Sequence, residues 1–143
     1  MAHITTDSNG DPSPNAGAKG PLLVIHDQDT DGTSFLENYD QFEPSLVSQF
    51  FDLGWDLYIA NMRGTKPSRK HNTFDPDGSG ANGAADYWNF DVSTQAEFDV
   101  PAMINAIQQK RADDGKDCLK VHIYDSASTS LLTSALFPTT SRE

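Results

Sequence analysis

The apolar residues of this chain fall into short, compact runs separated by long polar stretches, and the spacing inside each run predicts its element. "PLLVIHD" (residues 21–27), "WDLYIANM" (55–62) and "CLKVHIY" (118–124) are near-continuous apolar runs of strand length, the pattern of strands buried on both faces. "MAHITT" (1–6) reads as a further short strand, and residues 7–20 form a turn-rich connector that holds no regular structure for long. Together these two predict an antiparallel hairpin leading into the central sheet. In "PSLVSQFFDLG" (44–54), Leu46, Val47, Phe50 and Phe51 recur at helical spacing, with Pro44 in the first turn and Gly54 just past the end. Val100, Met103, Ile104 and Ile107 keep the i, i+3, i+4, i+7 stripe of a second helix. Pro101 suits its first turn, a shorter helical turn precedes it, and "QQKRADDGK" forms a polar, cationic end. Residues 63–86 read as a long irregular stretch, and 127–136 as a last helix stopped by Pro138. Strands alternating with helices predict an α/β fold, a mostly parallel sheet flanked by helices.

Composition narrows the partners more than the fold. The 143 residues are a prior for one domain, residues 1–143, with the flexible connector 7–20 inside it. There are 21 Asp and Glu against 10 Lys and Arg, a formal charge of −11, and no basic patch with interleaved aromatics. Such a field repels nucleic acid and anionic membranes. No run approaches the roughly 20 apolar residues of a membrane span. The first ten residues lack the charged and apolar regions of a signal peptide, and the compartment stays open. A single cysteine, Cys118, excludes an internal disulfide and a Cys-based zinc site, and its place at the start of an apolar run predicts a buried thiol.

The chemistry concentrates in "KVHIYDSASTSLLTSALF" (120–137), where a strand-like run enters Ser126 and a small-residue helical run leaves it. That is the layout of a nucleophile elbow, which brings the residues two before and two after the serine close together and so favours glycine at both. Here those positions hold Tyr124 and Ser128.

Three blocks carry a resemblance to a known family. They are "GWDLYIANMRGTKPSRKH" (54–71), "YWNFDVSTQAEFDVPAMINAI" (87–107) and the elbow stretch, in order and over some ninety residues. The chain resembles the acid lipase family of α/β-hydrolases, the family of the lysosomal acid and gastric lipases, over the N-terminal portion of its fold. The resemblance implies a partial α/β-hydrolase domain in which Ser126 is the candidate nucleophile, with oxyanion-hole positions at Gln28 and Ala127. It also implies that the catalytic Asp and His, and the cap over the lipid pocket, lie beyond the elbow, and that Met1 matches an internal position of a longer protein. Family members are lysosomal or secreted, and need no cofactor.

Where the family has His-Gly after its first strand, this chain has His26, Asp27 and Gln28, so a carboxylate stands where negative charge develops. Losing one oxyanion donor costs roughly 10²–10³ in rate. The resulting expectation is a lipase-derived module, non-catalytic in this chain, serving as a structural subunit or part of a larger assembly. A protein partner, or the remaining part of the same fold, would complete its sheet. The alternative is a fragment of an active lipid-ester hydrolase, acting through a serine acyl-enzyme, whose Asp, His and cap lie elsewhere.

Other constellations read as structure. "DQDTDG" (27–32) and "DPDGSGANGAAD" (75–86) have calcium-loop spacing, but the first would end at Asn38 rather than a bidentate Glu, and turn chemistry explains both equally well. No metal site is assigned. Arg63 after a strand end is expected to tie down carbonyls or a buried acid. Arg69 and His71 belong to a structural loop, and Trp88 and Phe90 are expected to be core aromatics. His3 and His122 fall in strands and His26 at a strand end, so no triad is rebuilt within the chain.

Overall fold

The computed structural model describes residues 1–6, 10–12, 15, 17–36 and 45–125. The expected final helix, and Ser126 and Ala127, lie outside these. Four strands form one sheet: β1 (Ala2–Ile4), β2 (Pro21–Ile25), β3 (Asp56–Ala60) and β4 (His122–Asp125). Their order is β1-β3-β2-β4. β2 is parallel to both β3 and β4, whereas β1 is antiparallel to β3.

The central pair shows why apolar runs without alternation make strands here. In register, Leu22 faces Leu57, Leu23 faces Tyr58, Val24 faces Ile59 and Ile25 faces Ala60. Successive side chains point to opposite faces. Leu22, Val24, Leu57 and Ile59 pack with Val47 and Phe51 of helix α1 (Leu46–Asp52). Leu23, Ile25, Tyr58 and Ala60 pack on the other face with Ala96, Val100 and Ile107. Val100 and Ile107 belong to helix α4 (Val100–Asp113), whose labelling follows the short helices α2 (Ala84–Tyr87) and α3 (Val92–Thr94). Both faces are thus covered, and each fully buried Leu or Ile contributes about 1.5–3 kcal/mol.

Several local expectations are corrected. β1 and β2 form no hairpin. β2 already has β3 and β4 as neighbours, so β1 takes the open edge of β3, where His3 stacks on Tyr58 with ring centroids 4.4 Å apart. The cap of α1 is Ser45, whose Oγ accepts from Ser48 N–H at 3.1 Å, and Pro44, expected in the first turn, lies outside the described residues. Gly54 ends that helix at φ +88°, as its position predicts. Pro101 sits in the first turn of α4 and a shorter helix, α3, precedes it, both as expected; what the spacing did not show is that α3 passes through a π-helical turn (Gln95–Asp99) directly into α4. Proline lacks an N–H and its ring crowds the carbonyl four residues back, and the wider turn relieves both. The irregular stretch includes a 3-10 turn at Lys66–Ser68, and α2 overlaps its end.

The last strand is shorter and more open than its apolar run suggests. Among the described residues only His122–Asp125 pair with β2, and their side chains alternate between exposed and half-buried. Among the described residues β4 is a sheet edge. Cys118 precedes the strand and is exposed, so the expected buried thiol is not found. Hydrophobicity alone did not reveal that residues 118–120 run past the covering helix, with Gln108 Nε2 donating to Leu119 O at 2.6 Å.

At the amino end of the sheet a buried ionic cluster ties three elements together. Asp56 accepts from His3 Nε2 at 2.8 Å, from Tyr58 OH at 3.2 Å, and from Arg111 of α4. Arg111 also donates through Nε and Nη2 to Asp117 O, at 3.1 and 3.0 Å.

Candidate functional site

The crossovers β2–β3 and β3–β4 run in opposite directions across the sheet, placing β3 and β4 on either side of β2. The chain passes from β2 over one face through α1 to β3, then over the other face through α4 to β4. In open α/β sheets such a reversal opens a crevice at the carboxyl ends of the strands. A cleft of about 740 Å³ lies there, lined by His26 and the loop after β2, by residues 62–66 after β3, and by Trp88, Phe90, Asp91, Val92 and Gln95.

His26 is 1% exposed and both ring nitrogens are engaged. Met62 N–H donates to Nε2 at 3.0 Å, which leaves the proton on Nδ1, and Nδ1 donates to Asp27 O at 2.7 Å. The imidazole therefore clamps the ends of β2 and β3 and has no nitrogen left to act as a base. Gln28 N–H, the expected oxyanion donor, donates a hydrogen bond to Asp27 Oδ1 at 2.7 Å. The amide at the expected oxyanion position is thus hydrogen-bonded to a carboxylate of the chain itself.

The rest of the loop is turn chemistry. Asp31 caps a 3-10 turn (Gly32–Phe35) by accepting from Thr33 N–H at 2.8 Å. Its hydrogen bonds with Thr33, side chain first and backbone second, hold its carboxyl below the usual range. Gly32 N–H donates to Asn61 Oδ1 at 2.8 Å, and a Cβ at Gly32 would stand 2.7 Å from Ile59, so the loop lies flat on β3. In the second acidic stretch, Asp75 accepts from Asp77 N–H and Asp86 from Asn82 N–H, at 3.0 and 2.8 Å. Among the described residues, no three His, Cys, Asp or Glu side chains are grouped to hold a metal ion.

Arg63 pairs with an acid, as its position suggested. Its Nε donates to Asp99 Oδ2 at 2.7 Å and its Nη2 to Asp99 Oδ1, joining the loop after β3 to the π-helical turn. The Asp99 bond raises the guanidinium's pKa further. Arg69 pairs with Asp77 at 2.6 Å, and His71 Nδ1 accepts from Thr73 and Phe74 N–H, so both are loop staples. Trp88 is 44% exposed rather than core. It is held beside Gly64 at φ +86°, where a Cβ would come within 2.6 Å of the indole, and it forms an aromatic wall with Phe90.

Of the sequence-predicted site residues, the structure places Gln28 and His26 at the cleft. Ser126 and Ala127 lie outside the described residues. In the strand leading to Ser126, Asp125 is in register with Ile25, which precedes His26. Tyr124, at the elbow position where glycine was expected, sits at the sheet edge, 37% exposed. Its ring packs edge-on against Phe50 at 5.3 Å and Phe35 at 6.5 Å. His3 and His122 are far from any such role: one is bound to Asp56, the other packs on Trp55 at 5.0 Å. Sequence reasoning missed the Arg63–Asp99 pair, which spans 36 positions and has no local signal. It also missed the Asp27–Gln28 bond, which an Asp at the first position of a turn could have suggested.

No protein-family model matches the chain. Among curated proteins it is similar to a gastric triacylglycerol lipase of Rattus norvegicus, 29% identical over 102 residues, covering 71% of this chain and 24% of the relative. It is 31% identical over 108 residues to triacylglycerol lipase 2 of Arabidopsis thaliana, covering 75% and 24%. It is 32% identical over 101 residues to the lysosomal acid lipase/cholesteryl ester hydrolase of Rattus norvegicus, covering 67% and 23%. The chain thus spans about a quarter of the length of these relatives.

Proposed function

Given that the chain belongs to an acid lipase-like family of α/β-hydrolases, we propose that it is a lipase-derived module that does not hydrolyse esters by itself and serves as a structural subunit or part of a larger assembly. The observation that carries this reading is the Asp27 carboxylate on Gln28 N–H. Acyl transfer needs pre-aimed donors where negative charge develops, and here one such donor is spent on a fixed negative charge. The full engagement of His26 supports the same reading, because no imidazole at the cleft is free to activate a serine. The open edge of β4 among the described residues supports a partner, or further chain of the same fold, that adds to the sheet.

The second reading is a fragment of an active lipid-ester hydrolase. It is favoured by the names of the relatives, which are lipases of about four times the matched length. A serine-directed fluorophosphonate probe separates the two. Applied to the chain and to the protein from its native source, it is expected to leave Ser126 unlabelled. Labelling of Ser126 in either preparation refutes the non-catalytic reading, and absence in both refutes the hydrolase.

A further inference from the structure

The cleft's lining combines apolar side chains with an excess of carboxylates. Its apolar part is formed by Met62, Trp88, Phe90 and Val92. Three carboxylates, Asp29, Asp31 and Asp91, line the same cleft. Two cations also line it, Arg63 and Lys66. Arg63 is neutralised by its paired bonds to Asp99, so three negative charges face a single ammonium. Asp31 and Asp91 are held ionised by hydrogen bonds to Thr33 and Thr94. The backbone N–H that would receive an anion is already filled by Asp27. The chain as a whole carries −11, which reinforces the local field.

We propose that this cleft binds an amphiphilic cation, an alkyl chain bearing an amine or quaternary ammonium head. The alkyl chain contacts the Trp88 and Phe90 rings, and the head is drawn by the field of the lining carboxylates Asp29, Asp31 and Asp91. An alkyl carboxylate or sulfate of the same length is repelled by that field and finds no open amide at Gln28. A neutral chain gains the apolar contact alone. Aromatic faces add to the attraction for quaternary ammonium groups.

Trp88 lines the cleft, so its emission reports occupancy. Decyltrimethylammonium, decyl sulfate and decyl maltoside, each below its micelle concentration, are titrated into the full chain. The cation is expected to bind at least about tenfold tighter than the other two, with the preference shrinking as salt is added. Asp29→Asn/Asp31→Asn/Asp91→Asn is expected to abolish the preference, since asparagine keeps the caps at positions 31 and 91 while removing the charge. Asp52→Asn/Asp113→Asn/Asp117→Asn makes the same charge change elsewhere and is expected to leave it intact. Equal binding of the three detergents overturns the proposal, as does a preference that survives in the cleft variant or is lost equally in the remote one. Trp88→Phe must silence the signal while Trp55 remains, and a signal that persists places the binding elsewhere. The wild-type salt series and Trp88→Phe decide the matter even if the triple variants fold poorly. Ser126 labelling tests the proposed non-catalytic role independently of all these titrations.

Discussion

Asp56→Ala tests the ionic cluster that closes the amino end of the sheet. Asp56 is 5% exposed and Arg111 3%, so the pair is shielded from water. Removing the carboxylate leaves the Arg111 guanidinium buried with only the Asp117 carbonyl as acceptor. It also strips the hydrogen bonds from His3 and Tyr58. Lys116, 3.4 Å from Asp56, is 42% exposed and adds little, as a solvated partner does. Breaking a buried pair on one side costs about 3–5 kcal/mol, a large share of the about 5–15 kcal/mol that holds a domain together. Urea denaturation should show that loss as a lower midpoint with an unchanged slope. Asp56→Leu/Arg111→Met, which removes both charges, should cost less than the single change. A cost below about 1 kcal/mol for Asp56→Ala would refute the assignment of Asp56 as the partner that neutralises Arg111. The same residue sets an acid limb. Burial alone would raise its pKa, but the His3 bond, the Lys116 and His3 charges and the Arg111 bond together bring it below the ordinary 3.8. A depressed carboxylate stabilises the fold above its unfolded value and loses that contribution as pH falls through the folded value. Wild-type stability should therefore drop below about pH 4 more steeply than that of Asp56→Asn.

Three further outcomes are expected. Tyr58, pushed up to about 12 by burial and by the Asp56 charge, stays protonated in the fold after the unfolded chain ionises near 10.0. Its contribution is complete below that value and lost as pH rises to about 12, so Tyr58→Phe should flatten the alkaline limb of stability measured by denaturation. Gly64→Ala places a Cβ against Trp88 at a positive φ and should cost about 1–3 kcal/mol in thermal unfolding, with a red-shifted Trp88 emission; an unchanged melting curve and spectrum would contradict the packing. Arg63→Lys should lose most of the stability lost in Arg63→Met, about 1.5–3 kcal/mol, because an ammonium cannot reproduce the two parallel bonds to Asp99. Full rescue by lysine would show that charge alone matters there.

The parts of this molecule that were legible in its sequence are those whose cause is local. Runs such as "PLLVI" and "DLYIA" are buried on both faces, so their composition alone predicts central strands. The i, i+3, i+4, i+7 stripe from Val100 predicts α4, and a glycine beyond Phe51 predicts where α1 stops. The cleft's main residues were also within reach, because strand ends carry His26 and Gln28 whatever surrounds them. Cys118 and Trp88 were misplaced for one reason: hydrophobicity measures the tendency to be buried, whereas burial depends on which element arrives to cover the residue.

By itself, then, the sequence determined the α/β alternation, the two-sided central strands and the ancestry that its three motif blocks share with lipases. Only the tertiary structure decided that β1 joins β3, that Arg63 meets Asp99 across 36 positions, and that the amide of Gln28 donates to Asp27. Periodicity is written by neighbours a few residues apart. Edge choice, ion pairing and the occupancy of a single N–H depend on which distant groups are brought within three ångströms, and that is settled when the sheet is assembled.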